Sequence, residues 1–255
     1  VAVGVRTTDS SLLGPLAERC PPGSRIGPVP MLDEVFSFVV GGSHGRLKRY
    51  HLVYEGGTQR ARTLELAQAL EQFEVGLRVC VASRARRRVF LHAGVVGWEG
   101  RAIVLPGRSH AGKSTLVAAL VRAGAEYGSD EYAVLDHRGR VHPYPRPLGL
   151  RDDAELGSGS FAADMLGGRL MQRSLPVGLV AVTEYRPRAR FRPRPLSAGR
   201  AVLELTSRSF SARLRPGPVL AALHRAVGSA RLLAGPRGEA ADAAAALLAA
   251  AGRSD

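Results

Sequence analysis

With 255 residues, 45% of them hydrophobic, the chain can bury a sizeable core as one large domain or two small ones. No apolar run approaches bilayer length, the start at Val1 lacks a signal-peptide layout, and Cys20 and Cys80 stand alone, which argues for a cytoplasmic protein with no membrane partner, zinc site or disulfide framework. The net charge of +14 rests on 36 Lys and Arg residues, of which only Lys48 and Lys113 are lysines, so the arginines reflect a GC-rich coding background more than a nucleic-acid partner.

Residues 1–34 are rich in Gly and Pro and show no clear period. "EVFSFVV" (34–40) reads as a strand followed by the turn Gly41-Gly42, and "KRYHLVYEGG" as a second strand ending in a glycine pair. In "TLELAQALEQFEVGL" (63–77) Leu66, Leu70, Phe73 and Leu77 recur at helical spacing, with Thr63 as N-cap and Glu65 in the first turn. Cys80, in an apolar stretch, reads as a small buried side chain. Residues 1–86 thus read as a small N-terminal α/β unit, bordered by "RARRR" (84–88) as a solvated connection.

Residues 87–255 form the second region. "VFLHAGVV" and "RAIVLPG" are strands around the turn "GWEG", followed by a glycine loop and a helix from Lys113 to Ala123, with Gly124 as C-cap. "EYGSDEYAVLD" leads into the tight turn "HRGR" and then "VHPYPRPLGLRDD". The stretch 155–168 mixes Gly and Ser and predicts a mobile segment. "LPVGLVAVTEY" predicts a buried strand, while "RPRARFRPRP" (186–195) is too proline-rich for regular structure. "AGRAVLEL", "GPVLAALHRAVG" and the alanine-rich tail are helical.

Gly107, Arg108, Ser109, His110, Ala111, Gly112, Lys113 and Ser114 match GxxxxGK[ST] in full, with Thr115 next in the helix. A strand precedes the loop and a helix follows it, as phosphate binding requires. Backbone N–H groups turned inward, together with the helix N-terminus, stabilise negative phosphate. Lys113 would reach the β- and γ-phosphates and the Ser114 hydroxyl would ligate magnesium. The nearest carboxylates are Asp130 and Glu131, read as the start of the strand Tyr132–Leu135. Counting about "GWEG" sets His92 opposite Leu105, just before the loop; counting about "HRGR" sets Asp130 opposite Arg146.

This set suits transfer chemistry. Asp130 would take or orient the proton of an acceptor hydroxyl, and Glu131 and Ser114 would hold magnesium with Asp130. Lys113, with Arg146 or Arg151, would offset charge on the moving group, and His92 would hydrogen-bond Asp130 or the phosphoryl oxygens. With water as acceptor the same residues make a hydrolase. A kinase for small metabolites, and a nucleotide-gated binding module that meets nucleic acid through its arginines, also remain open. Against nucleic acid stand the absence of a recognised motif and of aromatics interleaved with the basic runs, at 5% aromatic content.

The elements "LHAGVV", "LPGRSHAGKSTL" and "GSDEYAVLD", in this order, resemble HPr kinase/phosphorylase, and more closely its shorter kinase-like relatives, over roughly residues 89–210. His92, Lys113, Ser114 and Asp130 match the family's positions, while Glu131 stands where it usually has a second aspartate. The resemblance implies an α/β fold, a P-loop nucleotide-binding core of HPr kinase or phosphoenolpyruvate carboxykinase type. It further implies ATP and Mg2+ as cofactors, a serine-bearing peptide or protein as acceptor, and a homo-oligomer. The glycine-rich segment tied to dephosphorylation in the full enzyme is not found, and the N-terminal unit does not read like the family's own.

Overall fold

Apolar runs bounded by glycines become strands here, and the one computed structural model describes residues 1–44, 47–108, 111–153 and 155–252. The chain divides into two units, Val1–Arg86 and Arg87–Asp255. Among the described residues no helix is long and apolar enough to cross a membrane.

The first unit holds β1 (Val3–Thr7), α1 (Leu13–Glu18), β2 (Glu34–Val39), the two-residue strands β3 (Ser43–His44) and β4 (Leu47–Lys48), β5 (His51–Glu55), β6 (Thr58–Thr63) and α2 (Leu66–Arg84). Its main sheet runs β1-β2-β5-β6, with β1 parallel to β2. Helix α2 lays Phe73 edge-on against Phe36 and Phe38, with ring centroids 5.6 and 6.4 Å apart. The helix begins later than its sequence period suggests. Thr63 stays in β6, and its hydroxyl accepts from the Glu65 amide at 3.1 Å to turn the chain. It also runs on through Cys80 to Arg84, so the arginine run begins inside its last turn. Strand β1 and helix α1 lie in the Gly/Pro-rich start, where a short parallel edge strand leaves no hairpin signal.

The second unit continues with β7 (Val89–Trp98), β8 (Arg101–Pro106), α3 (Lys113–Arg122), β9 (Glu126–Ser129), β10 (Tyr132–Leu135), β11 (Arg140–His142), β12 (Leu148–Asp153), β13 (Gly157–Phe161), β14 (Leu175–Tyr185), β15 (Arg194–Pro195), α4 (Ala198–Thr206), α5 (Pro216–Val227), β16 (Arg231–Arg237) and α6 (Ala240–Ala251). The sheet order is β11-β10-β7-β8-β14-β16-β15, and β9 also pairs with β7. β14 lies between β8 and β16, parallel to both. Helices cover both faces, so β8 is apolar after Arg101: Ile103 and Leu105 join the α3 and α6 side, Ala102 and Val104 the α4 and α5 side.

Two expectations need correction, and one strand had no expectation at all. The turn after β7 is the two-residue Glu99-Gly100, with φ of 48° and 75°, closed by the pair Trp98–Arg101. This shifts the register by two, so Gly94 rather than His92 faces Leu105. The stretch 155–168 is ordered: β13 pairs with β12, and a 3-10 turn follows at Ala163–Leu166. Strand β16, in a stretch to which the sequence assigned no element, lies inside the main sheet beside β14, its parallel partner remote in sequence. The turn after β10 does follow the expected register, with Val134 opposite His142.

Candidate functional site

The glycine loop joins the end of a buried central strand, β8, to the N-terminus of α3. Gly112 caps the helix at φ 73°, ψ 23°, a left-handed conformation that glycine adopts without a Cβ clash. It has no side chain to cap with, so the first-turn amides of α3 remain as donors at the positive end of the helix dipole. The Lys113 stem lies over Gly107, where an added Cβ would come within 3.2 Å of it, and its Nζ donates to the Arg108 carbonyl at 2.8 Å. Burial lowers the Lys113 pKa first; Asp130 and Glu131 oppose that shift, and Arg208 adds to it. Arg108 and Thr115 are exposed, and the Ala111 amide donates to the Arg108 carbonyl at 3.2 Å. Ser109 and His110 lie outside the described residues.

Asp130 and Glu131 form the link between β9 and β10: they lead into the strand Tyr132–Leu135, as expected, and also follow the last residue of β9. Both β9 and β10 pair with β7, which holds the Asp130-Glu131 link at that strand's edge; the Ala93 amide donates to the Glu131 carbonyl at 3.1 Å. Ser114 Oγ donates to Asp130 Oδ2 at 2.8 Å, and the Gly149 amide reaches the same oxygen at 3.3 Å. The Tyr127 hydroxyl lies 3.1 Å from Asp130 Oδ1 and 2.8 Å from the Arg146 carbonyl, donating its one proton to either. Burial raises the Asp130 pKa, and these donors pull it back toward the ionised form. Burial first, then the Asp130 charge, keeps the Tyr127 phenol protonated.

His92 sits where β7 has β10 on one side and the turn after α4 on the other. That turn forms a bridge between Leu91 and Ser209, the His92 amide donates to the Arg208 carbonyl at 2.8 Å, and the Phe210 amide to Phe90 at 3.1 Å. Burial, then the charges of Lys113 and Arg208, lowers the His92 pKa to about 4, so the imidazole is neutral at pH 7.

Of the residues chosen from sequence, His92, Lys113, Ser114, Asp130 and Glu131 come together. Arg146 joins them, its Nη1 donating to Glu131 Oε2 at 3.4 Å. Arg151 is exposed on β12, two residues beyond the amide that touches Asp130. Tyr127, Arg208 and Arg237 were missed. Tyr127, three residues before Asp130, carries a faint signal, whereas Arg208 and Arg237 are lost among the many arginines. Arg208 has its Nε buried without a hydrogen-bond partner among the described residues and its Nη2 3.8 Å from Glu204. Arg237 donates through Nη2 to the Gly112 carbonyl at 2.7 Å.

Among the described residues no three His, Cys, Asp or Glu side chains converge. A cation held at Ser114 and Asp130 would draw its other oxygens from phosphate and water, which is how magnesium prefers to bind.

No family model and no curated protein matches the chain. A solved structure of the HPr(Ser) kinase/phosphatase from Coxiella burnetii is similar at 18% identity, over 42% of this chain and 73% of that one, with a TM-score of 0.30. At that level of likeness the function has to be read from the residues themselves.

Proposed function

We propose that the unit Arg87–Asp255 binds ATP with magnesium at the glycine loop and transfers the γ-phosphoryl group to a hydroxyl, that of a serine in a peptide or protein. The observation that carries this reading is the 2.8 Å hydrogen bond from Ser114 to Asp130, a helix N-terminal hydroxyl and a buried carboxylate meeting at the loop. The amides of α3 bind phosphate oxygens, and the Lys113 ammonium swings from the Arg108 carbonyl onto the triphosphate. Magnesium, held by Ser114 and Asp130 with Glu131 beside them, would neutralise charge on the β- and γ-oxygens.

Asp130 then acts as base. As the acceptor oxygen bonds to the γ-phosphorus, its proton passes to Asp130 Oδ1, while the bond from that phosphorus to the bridging oxygen breaks and ADP leaves with the electron pair. The burial that raises the Asp130 pKa makes it a stronger proton acceptor. Arg208 and Arg146 offset charge on the moving group, and neutral His92 hydrogen-bonds its oxygens. The serine acceptor is supported by the order of His92, loop and acidic pair, shared with HPr-kinase-like serine kinases.

The test is to incubate wild type and Asp130→Asn with MgATP and serine-containing peptides, and to weigh the peptides. A gain of one phosphate with wild type alone is expected. ATP binding without turnover under any acceptor would remove the transfer reaction and leave a nucleotide-gated binding module.

A further inference from the structure

Arg237 ends β16 and is 2% exposed. Its Nη1 donates to the Gly238 carbonyl at 3.0 Å and its Nη2 to the Gly112 carbonyl at 2.7 Å; its charge lies 5.4 Å from the Tyr185 ring centroid. Its Nε is buried with no hydrogen-bond partner among the described residues. Both of these hydrogen bonds end on main-chain carbonyls, so neither brings a full negative charge to the cation. A buried guanidinium so placed is costly, and an apolar side chain of similar volume would fill the space more favourably. Packing therefore does not explain the arginine; its contact with the loop does.

In a trans peptide the C=O and the following N–H point in opposite directions. Holding the Gly112 carbonyl therefore aims the Lys113 amide away from Arg237. The same carbonyl accepts the first intrahelical bond, from the Leu116 amide at 3.1 Å, so Arg237 grips the peptide unit from which α3 begins. Glycine is favoured at 112 by the left-handed φ of 73°, and a Cβ there would also push Nη2 from its place. The grip is set by the sheet: β16 pairs with β14 up to Tyr185–Arg237, and β14 lies next to β8, from which the loop departs.

We propose that Arg237 is a positioning residue for the triphosphate: it fixes the Gly112–Lys113 peptide so that its amide meets phosphate, and it sets a permanent positive charge behind the loop. This rests on the reading that the loop holds ATP. The test measures MgATP affinity by calorimetry and stability by urea unfolding for wild type, Arg237→Met and Arg237→Lys. Arg237→Met is expected to keep or raise stability while binding ATP at least about tenfold more weakly; its KM for ATP rises and its KM for the acceptor does not. Arg237→Lys is expected to recover part of the affinity. A folded Arg237→Met that binds ATP as wild type does would overturn the proposal and leave the loop's role intact. Wild type that binds no ATP would overturn the underlying reading, and this one with it. If Arg237→Met does not fold, Arg237→Gln, which keeps a donor without the charge, takes its place with the same two outcomes.

Discussion

Asp130 is balanced between burial, which favours its neutral form, and three donors that favour the anion. Replacement by Asn keeps the shape and removes the base, so kcat is expected to fall by roughly 10²- to 10⁴-fold in peptide phosphorylation. Tyr127→Phe removes one donor, so the Asp130 pKa should rise further, and the acidic limb of kcat/KM against pH should move to higher pH. His92 yields a stability test. Its pKa falls from 6.5 in the unfolded chain to about 4 in the fold, so between those values the unfolded chain binds more protons. Stability therefore drops as pH is lowered through that window, and His92→Gln should flatten the drop, read by urea unfolding at pH 6.5 and pH 4.5. The loop and Asp130 were legible because spacing along the chain carries them, whereas His92 was picked on a hairpin register that is two residues off. Arg208 is brought beside His92 by the bridge between Leu91 and Ser209 and by the His92 amide's bond to its carbonyl, contacts that no local pattern announces.

Helix α3 approaches β7 so closely that a Cβ on Gly94 would come within 2.6 Å of Val117 Cγ2. Gly94→Ala is expected to cost about 1–3 kcal/mol in urea unfolding by overpacking, and Val117→Ala in the same chain should recover part of it. Strands β7, β8 and β14 and helices α3 to α6 were readable because apolar runs, glycine stops and helical periods define them locally. What failed was placement. The Glu99-Gly100 turn shortened the hairpin loop and shifted its register by two, while β13, rich in Gly and Ser, hid an ordered hairpin. β16 ends in the Gly- and Pro-bearing "AGPR", and it becomes a strand through pairing with β14, some 50 residues earlier, and with β15.

Across the molecule, 36 basic residues against 22 acidic ones leave a charge of +14. This field favours an acidic acceptor, so the KM of an acidic serine peptide should rise several-fold between about 50 and 300 mM salt, with kcat little changed. A neutral peptide should show no such rise. The α/β character was visible in alternating strand and helix patterns, but sheet order was not, because β8, β14 and β16 lie side by side through long crossovers. The most direct measurement is calorimetric binding of ATP with and without magnesium, wild type beside Lys113→Met. Magnesium-dependent binding by wild type, at least about tenfold weaker in the variant, is the result expected for a phosphate loop working with Asp130. Equal binding by both proteins, or none by wild type, would contradict it.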